Sequence, residues 1–130
     1  MGSVNKAILV GNLGRDGMYD KGISLLQRLG NIPVYAAALG YLYGKAGKKE
    51  QAQKILNDCL AQSEKGYFSS YFLATVYSGL GTSDKVFEWL DNAYEERDRN
   101  QFLINFDIKF RSLHSDLRWT EQLKKRGLAD

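Results

Sequence analysis

The side chains of this sequence that could do chemistry are few and stand apart. His114 is the sole histidine and lies in the stretch SLHSD. An imidazole works as a general acid or base only when a second polar group holds it against a substrate. The flanking residues do not spell out such a pair, so an exposed or capping position is the plainer reading. Cys59 is the sole cysteine, which excludes an internal disulfide and a multi-cysteine metal site. Its place among small residues at helical spacing predicts a buried, inert thiol rather than a nucleophile. GNLGRDG, at 11–17, is rich in glycine. It lacks the Lys-Ser/Thr of a phosphate-binding loop and the spacing of a dinucleotide fingerprint. EERDR at 95–99 mixes charge signs at a helix end and reads as solvated. The basic turn KAGKKE at 45–50 could touch phosphate, but such a run more often keeps a turn soluble. These residues predict no catalytic centre, no cofactor and no metal site, and hence a protein that is not an enzyme.

Composition narrows the classes further. With 130 residues, 44% hydrophobic and 25% charged, one compact domain over 1–130 is expected. No apolar run reaches the roughly 20 residues that span a bilayer, and no basic-then-apolar leader opens the chain. A cytoplasmic protein without membrane partners is the expectation. The net charge of +3 comes from 18 basic and 15 acidic residues, far from the dense cationic surface that nucleic-acid binding through counterion release requires.

The elements that position these side chains follow from an internal repeat. Writing VYAAALGYLYGKAGKKEQAQKILNDCLAQ from Val34 above FSSYFLATVYSGLGTSDKVFEWLDNAYEE from Phe68 pairs Leu39 with Leu73, Gly40 with Ala74, Tyr43 with Tyr77, and Gly47 with Gly81. It also pairs Ala52 with Val86, Leu56 with Leu90, and Cys59 with Ala93, every pair 34 residues apart. Apolar and small residues recur at three- and four-residue steps, placing them on one helix face, so each unit is two helices. Gly47 and Gly81 stand where the first helix must end and the chain reverse. Gly40, Ala74, Ala52, Cys59 and Ala93 mark sites where helices approach closely, with Val86 the least comfortable fit.

The 34-residue helix–turn–helix pattern, with Leu-Gly then Tyr in the first helix and small residues in the second, resembles the tetratricopeptide repeat. The resemblance implies an all-α fold of antiparallel helix pairs in a right-handed superhelix. Its parts would be a partial N-terminal unit at 4–33, repeats at 34–66 and 67–99, and capping helices at 100–130. In the partial unit, GMYDKGISLLQRL supplies a turn and second-helix start, with Leu26 and Leu29 facing the core. Pro33 suits the first turn of the next helix. In the cap, Asp107 and Asp116 read as helix N-caps, and Leu117, Trp119, Leu123 and Leu128 as residues that cover the last unit. The stretch from Tyr67 is also similar to the C-terminal segment of bacterial multidomain signalling proteins, although Ile108 and Leu117 stand where that segment usually has proline.

In tetratricopeptide folds the first helices line a concave groove. The resemblance places Val34, Ala37, Tyr41 and Lys45 there from one unit, and Phe68, Tyr71, Thr75 and Ser78 from the next. An aromatic groove with one cation suits a peptide or amphipathic helix of a partner protein, with Tyr41 and Tyr71 as anchors. The alternative is that the cap folds over the groove and fills it. The lysine, arginine and asparagine clamp by which chaperone-binding relatives hold a carboxylate is missing at Ala37, Tyr41, Tyr71 and Thr75.

VNKAILVGNLGRD, at 4–16, separately resembles the first strand of bacterial single-stranded-DNA-binding protein. That likeness implies single-stranded nucleic-acid binding as the alternative function. The rest of an OB-fold, with its base-stacking aromatics, is not recognisable downstream. The segment reads as a helix preceding the turn at Gly17, as a strand pairing with its copy to give a homodimer, or as a disordered or engineered leader, and fusion of two unrelated segments would account for the double resemblance.

Overall fold

The computed structural model describes residues 19–66 and 68–130, and these residues are helical without a strand. Helices α1 (Tyr19–Leu29), α2 (Pro33–Lys45), α3 (Lys49–Glu64), α4 (Ser70–Leu80) and α5 (Ser83–Glu95) follow one another through short turns. Two 3-10 turns, Arg99–Leu103 and Ile108–Leu113, then lead into α6 (Leu117–Lys125). Pro33 opens α2, where its missing N–H costs nothing and its fixed φ suits the helix. Residues 4–16, with the helix, strand and homodimer alternatives attached to them, lie outside the described residues.

Local chemistry sets the ends of these helices. Gly47 and Gly81 adopt φ of +81° and +79°, a left-handed conformation that a side chain disfavours. Beyond each glycine the next N–H turns back into the helix it leaves: Lys48 donates to the Tyr43 carbonyl at 2.9 Å and Thr82 to the Tyr77 carbonyl at 3.1 Å. Such bonds satisfy carbonyls that the helix end would orphan. The paired turns make α2 with α3, and α4 with α5, into hairpins. α6 begins at 117, 34 residues after α5 begins at 83, which itself follows the start of α3 at 49 by 34.

Packing joins the hairpins through their first helices. α2 lies against α1, α3 and α4, and α4 lies against α2, α3, α5 and both 3-10 turns. The small residues sit in these seams as their spacing predicts: Gly40, Ala52, Cys59, Ala74, Val86 and Ala93 are all buried. The tightest approach is one the repeat alignment does not mark. A Cβ added to Gly44 would meet the Gly79 backbone carbonyl, and one added to Gly79 would meet Tyr41 backbone atoms. The core falls into three adjoining clusters. One joins α1 and α2 around Leu26 and Leu42, the next joins α2, α3 and α4 around Leu56 and Leu73, and the last joins α4, α5 and the C-terminal segment around Leu90, Ile104 and Phe110.

Candidate functional site

The residues expected to line a groove are mostly interior. Ala37, Tyr41, Phe68, Tyr71, Thr75 and Ser78 are buried, Val34 is half-buried against the α1–α2 cluster, and Lys45 alone is exposed. Tyr71 is 1% exposed; its ring meets Phe110 edge-on at 5.5 Å and its hydroxyl donates to Asp107 Oδ2 at 2.8 Å. The Ser78 hydroxyl donates to the Lys109 carbonyl, and the Thr75 hydroxyl donates back to the Phe72 carbonyl of its own helix at 2.6 Å. The face of α4 that the groove reading needs open is therefore covered by the chain's own segment at 99–113. That segment lies about where the first helix of a third hairpin would fall. Burial raises the Tyr71 hydroxyl well above its ordinary pKa, with the Asp107 charge adding to it. Tyr41 is pushed up to about 12, by burial first and then by Tyr19 and Asp107.

Aspartates hold the covering segment in place. Asp98 accepts from the Ser69 hydroxyl, from the Tyr71 N–H at 3.2 Å and from the Asn100 N–H at 3.0 Å, tying the first 3-10 turn to the start of α4. Asp107 caps the second turn by accepting from the Lys109 N–H at 3.1 Å, and Asp116 caps α6 by accepting from the Arg118 N–H at 2.9 Å. The buried Arg126 guanidinium donates to Gln101 Oε1 at 2.9 Å, to Gln122 Oε1 at 2.7 Å and to the Leu90 carbonyl at 2.7 Å. It thereby joins the first turn, α6 and α5. Trp119 is buried and Leu123 packs beside it, but Leu117 and Leu128 face solvent rather than covering the last hairpin.

The segment pinned in this way presents a surface that the sequence reading did not single out. Phe102 and Leu103, at the end of the first 3-10 turn, and Phe106, on the connection to the second, are 59%, 54% and 82% exposed. Phe106 and Asp107 both donate their N–H to the Leu103 carbonyl, at 2.9 and 3.0 Å, so the connection is a closed turn. The sequence signal was QFLINF, four large apolar side chains in five residues just beyond the last clear repeat, of which Ile104 alone is buried. Singly scattered exposed hydrophobics are ordinary in proteins, whereas these three stand close together in one short stretch.

The chemically active side chains do not converge. His114 ends the second 3-10 turn and stacks on Trp119 at 4.6 Å; burial and then the nearby Arg111 lower its pKa below the ordinary imidazole value. Cys59 is buried, and burial together with Asp58 pushes its thiol up to about 12. Among the described residues there is no group of three His, Cys, Asp or Glu side chains able to hold a metal ion, and no helix is long and apolar enough to cross a membrane. No family model, curated protein or solved structure matches this chain.

Proposed function

We propose that this chain is a non-catalytic protein-interaction module of tetratricopeptide-like hairpins stacked as a right-handed superhelix, and that it holds an apolar segment of a partner protein on the turn at 102–106. The observation that carries this reading is the exposure of Phe102, Leu103 and Phe106 on backbone tied down by Asp98, Asp107 and Ser78. A surface already fixed loses little conformational freedom on binding, and aromatic anchors contribute most of the energy at such contacts. The 34-residue steps between the starts of α3, α5 and α6, and the contact of α2 with both α3 and α4, support the repeat architecture. The binding surface is thus moved from the Tyr71 face of α4 to the outer side of the segment that covers it. The single-stranded nucleic-acid alternative rests on residues 4–16, outside the described residues.

The test is a selection of displayed random peptides on the wild-type protein, with F102S/F106S as the counter-target. The reading expects peptides rich in large apolar residues that bind the wild type and lose at least tenfold in affinity on the double variant, about 1.4 kcal/mol. Peptides that bind both proteins equally would place the interaction surface elsewhere. Sedimentation of the same two proteins identifies the partner as a second copy if the wild type associates and the variant does not.

A further inference from the structure

We infer that the cleft between α1, α2 and α3 is a binding site for a small aromatic cation, distinct from the turn at 102–106. The cleft has a volume of about 540 Å³, within the range of small-molecule sites. Leu26, Tyr35, Leu39, Ile55 and Cys59 are among the residues that line it, and among the described residues Asp58 is the only charged side chain in the lining.

The next hairpin shows what such a seam holds when it is filled. Thirty-four residues after Ile55 stands Trp89. Its side chain packs against two neighbouring clusters, the one around Leu56 and Leu73 and the one around Leu90 and Phe110. Ile55 packs against the cluster around Leu56 but is not among the residues packed on the α1–α2 cluster. A branched four-carbon side chain thus occupies the position at which the repeat elsewhere places an indole, and among the described residues no side chain fills the seam between α1 and α3. The cleft thus lies where the next hairpin seats an indole, and Leu26, Tyr35, Leu39 and Ile55 give it an apolar wall.

Charge complementarity selects the cation. Asn92 stands 34 residues after Asp58, so the first seam carries a carboxylate where the second carries a neutral amide. Gln27, Asn31 and Gln62 add amide groups to the lining but no charge. Burial and then Asp58 raise the Cys59 thiol pKa, so the ligand is held without a covalent bond to this sulfur.

The probes are tryptamine and indole-3-acetate, which share a ring and differ in the sign of charge, titrated into the full chain with amide chemical shifts as the readout. Tryptamine is expected to produce saturable shifts at Gly30, Asn31, Leu39 and Gln62, and to bind about fivefold or more tightly than the acid, a margin typical of one partly exposed charge. Asp58→Asn, a near-isosteric change at an exposed position, should bring the two affinities together. Ile55→Trp should close the cleft to both probes. The inference is overturned if tryptamine gives no saturable shifts in the wild type, if the acid binds as well as the amine, or if D58N leaves the preference unchanged.

Discussion

Gly79→Ala tests the packing on which the architecture depends. A methyl group at this position collides with the Tyr41 carbonyl oxygen and falls 2.6 Å from the Tyr41 Cα, whereas ordinary contact begins at 3.4 Å. Both groups are helix backbone, which cannot rotate away, so α2 and α4 must part by about 1 Å. Overpacking of this kind costs about 1–3 kcal/mol, and a rigid neighbour puts it at the upper end. A gap of that size also forfeits part of the dispersion along the seam. Alanine returns about 1 kcal/mol of helix propensity, which leaves a net loss of about 2 kcal/mol. Gly40→Ala gains the same propensity, yet its methyl group meets only the side-chain methyls of Ile55 and Val76 at 3.1 Å, which can shift. That variant should stay within about 1 kcal/mol of the wild type. Urea unfolding followed by far-UV circular dichroism separates the two, since about 2 kcal/mol moves the midpoint by about 1 M. If G79A proves as stable as G40A, the helices do not approach as described and the reasoning fails.

Other perturbations reach the remaining elements. Asp107→Ala removes a cap and leaves the buried Tyr71 hydroxyl without its acceptor; it should cost about 2–3 kcal/mol, and distinctly less in a Tyr71→Phe background, as a double-mutant cycle in urea would show. Arg97 has φ of +56° just after α5, where α1 and α3 are followed by the left-handed glycines Gly30 and Gly66. Arg97→Gly should therefore stabilise by about 0.5–1 kcal/mol despite the freer unfolded chain, read as a higher urea midpoint. His114 titrates below its ordinary 6.5 in the folded state, through burial and then Arg111. The unfolded chain thus binds the proton more readily, so stability is full above pH 6.5 and declines as pH falls through the folded value; His114→Phe keeps the ring on Trp119 and should flatten the melting temperature between pH 7 and 5. Burial tends to raise Asp91, but hydrogen bonds from Gln122 and Lys125 outweigh it and lower its pKa. Its contribution is present above the ordinary 3.8 and lost on further acidification, and Asp91→Asn should remove that part of the acid limb.

Much of the fold was legible because it rests on local chemistry. Gly47 and Gly81 mark turns by their need for positive φ, and the 34-residue pairs Gly40 with Ala74, Ala52 with Val86, Leu56 with Leu90 and Cys59 with Ala93 are buried on helix faces. Asp107 and Asp116 announced their caps, since a short carboxylate before a helical stretch has a ready donor two residues on. What escaped depends on pairs of elements. Gly44 and Gly79 are 35 residues apart, one residue out of step with the repeat, and their proximity follows from how α2 crosses α4. Repeat geometry put Tyr71, Thr75 and Ser78 on a groove because it leaves the last first-helix uncovered. Asp98 and Asp107 instead bond nearby backbone N–H groups, which favours 3-10 turns over a regular helix. Those turns place Ile104 and Phe110 over α4 and turn Phe102, Leu103 and Phe106 outward. Outward aromatics cannot be told from core aromatics by residue type.

The central claim is that the turn at 102–106 meets the partner. Amide hydrogen exchange of the wild-type protein, with and without a peptide selected on it against F102S/F106S, tests this most directly. The account predicts added protection across the 99–113 segment and the start of α4, with α1 and α3 unchanged. Protection confined to α1–α3, or no peptide that distinguishes the two proteins, would contradict it.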